Sequence, residues 1–111
     1  PFHCKYMKTA SEKMASYINQ LKMNKLEKPI ISNVTAKETV SPKEIKSLLI
    51  SQIEKKVRWL ESIEYMKNNG VKNFVEIGPG KVLSGLIKRI DKNANVYSIN
   101  TEEDIKLLLN D

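Results

Sequence analysis

Two apolar periods alternate along this chain. From residue 4 to 25, Met7, Ala10, Met14, Tyr17, Ile18 and Leu21 recur at steps of three and four, with Lys, Glu and Gln between them. That spacing predicts a helix over 4–25 with one buried face. Pro29 to Val34 switches to a short apolar run that reads as a strand, with proline at its first residue, where a missing N–H is tolerated. Thr35 to Val40 reads as a loop. Ser41-Pro42-Lys43-Glu44 then starts a helix, with serine as N-cap, proline at the first helical position and glutamate three residues on. Ile45, Leu48, Leu49 and Ile53 form its apolar side, with Gln52 on or beside it. Glu54-Lys55-Lys56 predicts a break, because the apolar phase restarts with Val57, Trp59, Leu60, Ile63 and Met66. Asn68-Asn69-Gly70 closes that second helix.

The densest signal follows. Phe74-Val75-Glu76-Ile77 has a strand composition, Gly78-Pro79-Gly80 breaks it, and Val82, Leu83, Leu86, Ile87 and Ile90 continue on one helical face. Val96 to Ile99 reads as another strand, and Thr101-Glu102-Glu103-Asp104 opens a last helix with a capping threonine and acids at the positive end of the dipole. Strands that alternate with helices predict an α/β fold with a parallel sheet flanked by helices. The expected strands lie near 29–34, 73–78 and 95–99. Three strands make a small sheet, so further strands are expected from chain outside these 111 residues. A glycine turn ahead of a helix also raises a phosphate-binding reading. The third glycine of a dinucleotide fingerprint and the Gly-Lys-Ser/Thr ending of a phosphate loop are both missing, which favours a tight turn that packs helix on sheet.

Composition narrows the partners. A chain of 111 residues with 41% hydrophobic and 29% charged residues fits one soluble domain with a modest core. No apolar run is long enough to span a membrane, and no secretory signal is visible. The single cysteine, Cys4, excludes an internal disulfide and suits a reducing, cytoplasmic compartment. The net charge of +6 suits an acidic partner. Seventeen of the nineteen basic residues are lysine and they are dispersed, which argues against nucleic acid as that partner. The chain begins at Pro1 without methionine, so it is expected to be part of something longer.

Candidate chemistry is sparse. His3 is the only histidine and can serve as a base; Cys4 beside it lacks the further ligands a metal site needs. A nucleophilic Cys4 would need an activating base held in space, which a neighbour in sequence rarely supplies. No serine lies in a Gly-x-Ser-x-Gly elbow; Ser84 precedes Gly85 but follows Val82 and Leu83. Glu61 and Glu64 share a helix but read as a solvated face.

Taken in order, Pro1-Phe2-His3 with Met7 four residues on, Ser32-Asn33-Val34, Gln52 with Val57-Arg58-Trp59, Glu61-Ser62, and Glu76-Ile77-Gly78-Pro79-Gly80-Lys81-Val82-Leu83 form a specific set. The chain closely resembles the C-terminal part of bacterial malonyl-CoA:acyl-carrier-protein transacylase over essentially all of residues 1–111. The resemblance implies a segment of an α/β-hydrolase-like acyltransferase large subdomain. In that family a serine in a Gly-His-Ser-x-Gly elbow takes malonyl from coenzyme A and passes it to acyl carrier protein for fatty acid biosynthesis. By resemblance His3 is the general base, and Gln52 is the site residue whose main-chain carbonyl holds the imidazole ring. The serine, the arginine that pairs with the malonyl carboxylate and the ferredoxin-like subdomain would lie N-terminal to Pro1.

The resemblance further implies no cofactor and no metal, with the coenzyme A thioester as substrate and an acidic carrier protein as partner. The chain departs from the family at Cys4, where serine is usual, at Lys5, where proline or a small residue is frequent, and at Lys56, which replaces the proline of Pro-Val-Arg-Trp. On its own the chain is expected to be inactive. Two other readings stay open: an acyltransferase of polyketide synthesis, and a non-enzymatic basic α/β module with His3 incidental. The stop at Asp111 favours a discrete enzyme over a multidomain synthase.

Overall fold

The computed structural model describes residues 2–110; Pro1, which opens the Pro-Phe-His run, and Asp111 lie outside the described residues. Two compact units divide after Ser62.

In the first unit a short 3-10 turn at Lys5–Met7 leads into α1, Lys8–Gln20. This helix is shorter than the expected span of 4–25. At Leu21 the backbone turns extended, its N–H bonds back to the Ile18 carbonyl, and the Lys46 ammonium donates to the Leu21 carbonyl. A lysine brought in from another helix thus satisfies an acceptor that α1 leaves free. The donor helix is α2, Pro42–Ser51, and it starts as its sequence predicts: Ser41 Oγ accepts from the Glu44 N–H at 3.4 Å, with Pro42 at the first helical position. The two helices pack together, and Ser11 Oγ on α1 donates to the Ile50 carbonyl of α2 at 3.3 Å. Ile18, Ala36 and Ile45 are the buried apolar residues of this unit.

Residues 29–34 do not join a parallel sheet. Ile30–Ile31 (β1) pairs antiparallel with Glu38–Thr39 (β2), inside the segment expected to be a plain loop. The cause is local. Ser32 starts a tight turn, in which its N–H bonds to the Lys37 carbonyl (3.1 Å), its own carbonyl accepts from Ala36 (2.8 Å), and its Oγ accepts from Val34 (3.1 Å). Serine and asparagine are turn formers, and here that property overrides the apolar run before them.

α3, Trp59–Asn68, runs across the division, and Gly70 follows it in the left-handed region. The second unit then holds β3 (Asn73–Ile77), α4 (Val82–Ile90), β4 (Asn95–Ile99) and α5 (Glu102–Leu109). β3 and β4 pair in parallel from Asn73 opposite Asn95 to Ile77 opposite Ile99, so β3, α4 and β4 make one crossover unit. The fold is α/β with a small parallel sheet flanked by helices, as its alternating periods indicate, with two of the three expected strands. Phe74, Ile87 and Ala94 are buried in this unit, as is Ile63. Among the described residues no helix is long and apolar enough to cross a membrane.

The Gly78-Pro79-Gly80 turn explains why Glu76 stands two residues before it. Gly78 (φ 134°) and Gly80 (φ 82°) take backbone that other residues rarely adopt. The chain therefore reverses tightly enough to set the start of α4 over the end of β3. Lys81 provides no side-chain cap to α4. Glu76 does so instead: Oε1 accepts from the Ser84 N–H (2.8 Å) and Oγ (2.7 Å), and Oε2 from the Leu83 N–H (3.2 Å). A carboxylate from the strand thus occupies the helix end where a phosphate would otherwise bind, which removes the phosphate reading of this turn. The Ser84 hydroxyl and N–H hold the Glu76 carboxyl below the usual glutamate range, with a smaller contribution from Leu83.

A lowered carboxyl pKa stabilises the folded state above the unfolded value and loses that effect as pH falls through the folded value. Glu76→Gln is therefore expected to melt at a lower temperature than the parent chain at neutral pH, with the gap closing as pH drops below about 4.5. Thermal melts of both proteins across pH check this; a gap that stays constant down to strongly acidic pH contradicts it.

Candidate functional site

The C-terminal end of α2 leaves two carbonyl oxygens for other partners. Past Ser51 the hydrogen bonding tightens. Ile53 N–H turns to the Ile50 carbonyl (3.3 Å), while Glu54 and Lys55 both turn to Ser51 (3.2 and 3.0 Å). The following residues leave the helix, so the Gln52 and Ile53 carbonyls stay out of its ladder. Both are taken by one residue. The His3 backbone N–H donates to the Ile53 oxygen at 2.9 Å, and the His3 ring nitrogen Nδ1 lies 2.6 Å from the Gln52 oxygen.

This double hold has a backbone counterpart. His3 sits at φ 62°, the left-handed region, which costs a non-glycine residue on the order of 1 kcal/mol. Cys4, the next residue, is fully extended (φ −146°, ψ 168°). The bend at His3 lets its main-chain N–H and its ring face the same helix end.

The chemistry of the pair fixes the ring's proton. A carbonyl oxygen only accepts, so Nδ1 carries the hydrogen and Nε2 keeps its lone pair. The His3 side is exposed, and Nε2 is free to take a proton from a neighbouring group. The Gln52 contribution is its backbone; the side chain plays no part in the bond.

A second set of bonds joins Ser32-Asn33-Val34 to Val57-Arg58-Trp59. Arg58 N–H donates to the Asn33 carbonyl (3.0 Å), and its Nη1 reaches the carbonyls of Val34 and Thr35, each at 3.3 Å. Its Nη2 pairs with Glu61. The mutual hydrogen bond raises the Arg58 pKa and lowers that of Glu61. Ser62 closes the corner, its Oγ donating to the Arg58 carbonyl at 2.7 Å. Arg58 therefore latches the turn that follows β1 to the start of α3. Both motifs belong to the ordered set that carries the resemblance, with no job assigned to either from the residues; an arginine in a lysine-rich chain is the available signal.

The remaining candidates have structural roles. Glu61 is engaged by Arg58 and does not act as half of a carboxylate pair. Ser84 is bound to Glu76 and, through its Oγ, to the Ser98 Oγ at 2.8 Å. An open hollow of about 480 Å³ lies at the carboxyl ends of β3 and β4, lined by Gly78, Pro79, Gly80, Ile99 and Thr101 among others. Two of its polar lining residues are committed: the Thr101 side chain caps α5, and Glu102 pairs with Lys106 at 3.7 Å. Among the described residues no group of three or more His, Cys, Asp or Glu side chains could hold a metal ion.

The chain is 42% identical over 106 residues to the malonyl CoA-acyl carrier protein transacylase of Staphylococcus aureus, a match that covers 96% of this chain and 34% of that protein. Its fold superposes on the acyl-carrier-protein-S-malonyltransferase of Bartonella henselae with a TM-score of 0.94 and 37% identity, over 99% of this chain and 35% of that one. It also superposes on the malonyl-transacylase solved in complex with a type II polyketide acyl-carrier protein, with a TM-score of 0.89 and 35% identity, over 100% of this chain and 36% of that one. No family model matches the chain. The chain spans about a third of the length of the curated relatives it matches, and it corresponds to their C-terminal part.

The Arg58 latch is open to test. Arg58→Lys keeps the backbone N–H and the charge but loses the fork that reaches three acceptors. It is expected to raise amide hydrogen exchange at Val34 and Ala36 by roughly threefold to tenfold, the scale of a net hydrogen bond or two. Unchanged exchange at those amides contradicts the latch.

Proposed function

We propose that this chain, which matches the C-terminal third of malonyl CoA-acyl carrier protein transacylases, supplies the general base of a malonyltransferase. In this reading residues 1–111 form the C-terminal segment of an acyltransferase catalytic domain, and the parent enzyme moves malonyl from coenzyme A to acyl carrier protein in fatty acid biosynthesis. The observation that carries it is the His3 Nδ1–Gln52 carbonyl contact at 2.6 Å. It supplies what a catalytic imidazole needs: one nitrogen fixed as donor and the other left as base.

The steps follow from that tautomer. A serine hydroxyl supplied by the N-terminal part of the enzyme gives its proton to His3 Nε2 as its oxygen attacks the thioester carbonyl. The C–S bond breaks, the coenzyme A thiolate takes the proton back from His3, and a malonyl-serine ester remains. The carrier protein's thiol then repeats the sequence: its proton passes to Nε2, its sulfur attacks the ester, and serine leaves with that proton. When the ring is positively charged, its bond to Gln52 O becomes charge-assisted, and the oxygen lies at the negative end of the α2 dipole. A helix end thus takes the place of a triad carboxylate. No cofactor enters any step. The reading places the enzyme in the cytoplasm.

A chain of this composition forms no acyl-enzyme alone, because none of its serines has the elbow context and Ser84 is committed to Glu76. A polyketide pathway remains the second reading, favoured by the fold's match to a transacylase solved with a polyketide carrier protein.

The test is malonyl transfer from coenzyme A to carrier protein. The chain alone is expected to be silent, and mixing or fusing it with the N-terminal two thirds of the Staphylococcus aureus relative is expected to give turnover. In the reconstituted enzyme His3→Ala should lower the rate by roughly 10²–10⁴-fold. Gln52→Ala should cost far less, since the carbonyl survives the substitution. Robust turnover by the chain alone, or full activity of His3→Ala in the reconstituted enzyme, overturns the proposal.

A further inference from the structure

The bonds that His3 makes require α2 to stop where it does, yet the residues after Ser51 do not force that stop. Glu54, Lys55 and Lys56 are good helix formers, and each carries a backbone N–H. One further turn of α-helix would bring the Glu54 N–H to the Ile50 carbonyl, the Lys56 N–H to the Gln52 carbonyl and the Val57 N–H to the Ile53 carbonyl. The last two are the oxygens that His3 uses. Proline, which the related Pro-Val-Arg-Trp motif carries at position 56, has no N–H with which to compete for the Gln52 oxygen. Lys56 has one.

Ser11 stands at the first of those three carbonyls. It is 6% exposed on α1, and its Oγ donates to the Ile50 carbonyl at 3.3 Å. A serine inside a helix commonly turns its hydroxyl onto its own preceding turn; this one reaches the neighbouring helix. The Ile50 carbonyl also accepts from the Ile53 N–H at 3.3 Å, and the Glu54 N–H is turned aside to Ser51 at 3.2 Å. A side chain inserted into the i→i−4 ladder bends or ends a helix. The segment from His3 to Ser11 is thus fastened at both its ends to residues 50–53 of α2 and the turn that follows. Beyond the other end of α1, Lys46 of α2 donates to the Leu21 carbonyl.

We propose that Ser11 is a positioning residue for the His3 site: by occupying the Ile50 carbonyl it keeps α2 from extending, and so reserves the Gln52 oxygen for the imidazole against the Lys56 N–H. Its bearing on catalysis rests on the function proposed above, and it adds to that reading a residue that acts through the end of α2.

The test reads the His3 ring in the chain itself. Long-range proton–nitrogen correlation gives the ratio of the Nδ1-protonated to the Nε2-protonated tautomer, and amide exchange reports the His3 N–H. Ser11→Ala is expected to lower that ratio by roughly threefold to tenfold and to speed the exchange by the same order, the scale of one net hydrogen bond. Adding Lys56→Pro to Ser11→Ala removes the competing N–H, and both readings are expected to return to within about twofold of the parent, a coupling that unlinked sites do not show. Lys46→Met deletes the other α1–α2 bond, away from the site, and is expected to leave both readings within about twofold of the parent. An unshifted tautomer ratio and exchange rate in Ser11→Ala, no recovery on adding Lys56→Pro, or an equal shift in Lys46→Met overturns the proposal. These spectra decide the role of Ser11 whatever the turnover of His3→Ala, which decides the catalytic reading.

Discussion

The site depends on how α2 ends. A helix that continued past Ser51 would bury the Gln52 and Ile53 carbonyls in its own ladder and leave His3 with no partner. Because the last turn tightens toward Ser51 and the chain then leaves the helix, two acceptors project from one place. One residue, distant in sequence, fills both. The main-chain bond to Ile53 fixes where His3 is, and the ring bond to Gln52 fixes which nitrogen keeps its lone pair. The left-handed backbone at His3 is the cost of using both acceptors at once.

The two units use one device for different ends. In the first, helix-end acceptors hold an imidazole. In the second, a carboxylate, Glu76, satisfies helix-end donors at the start of α4. Each case places a charged or chargeable group at the end of a helix whose dipole suits it. The difference is exposure to chemistry. Glu76 is closed off by Ser84, which itself bonds Ser98, whereas the outer nitrogen of His3 stays free. The glycine turn, the most conspicuous feature of the sequence, therefore serves packing, and the chemistry proposed for this chain lies with a histidine near the other end.

Much of this was legible in the residues. Ser41-Pro42-Lys43-Glu44 and Thr101 to Asp104 gave helix starts that the structure reproduces with their side-chain caps. The break after Ile53 was visible as a lapse in apolar phase, and with it the chance of a free carbonyl. The fate of residues 29–34 was not, because a two-residue strand and a serine-led turn look like one apolar run when read by period alone. The end of α1 at Gln20 was equally hidden; the carbonyl just past it accepts from Lys46, brought in from another helix. Glu76 stood in the sequence as one polar residue in a strand; its role appears only when the turn folds α4 back over it. That His3 meets Gln52 was carried by family resemblance. Nothing in their spacing of 49 residues required it.

Since His3 is the only histidine, one spectrum reports on the central claim without assignment ambiguity. A long-range proton–nitrogen correlation on histidine-labelled chain, recorded where the ring is neutral, reads which nitrogen bears the hydrogen. The account predicts a protonated Nδ1 and a bare Nε2, held in that form by the Gln52 carbonyl. A ring protonated at Nε2, or averaging freely between the two tautomers, would contradict it.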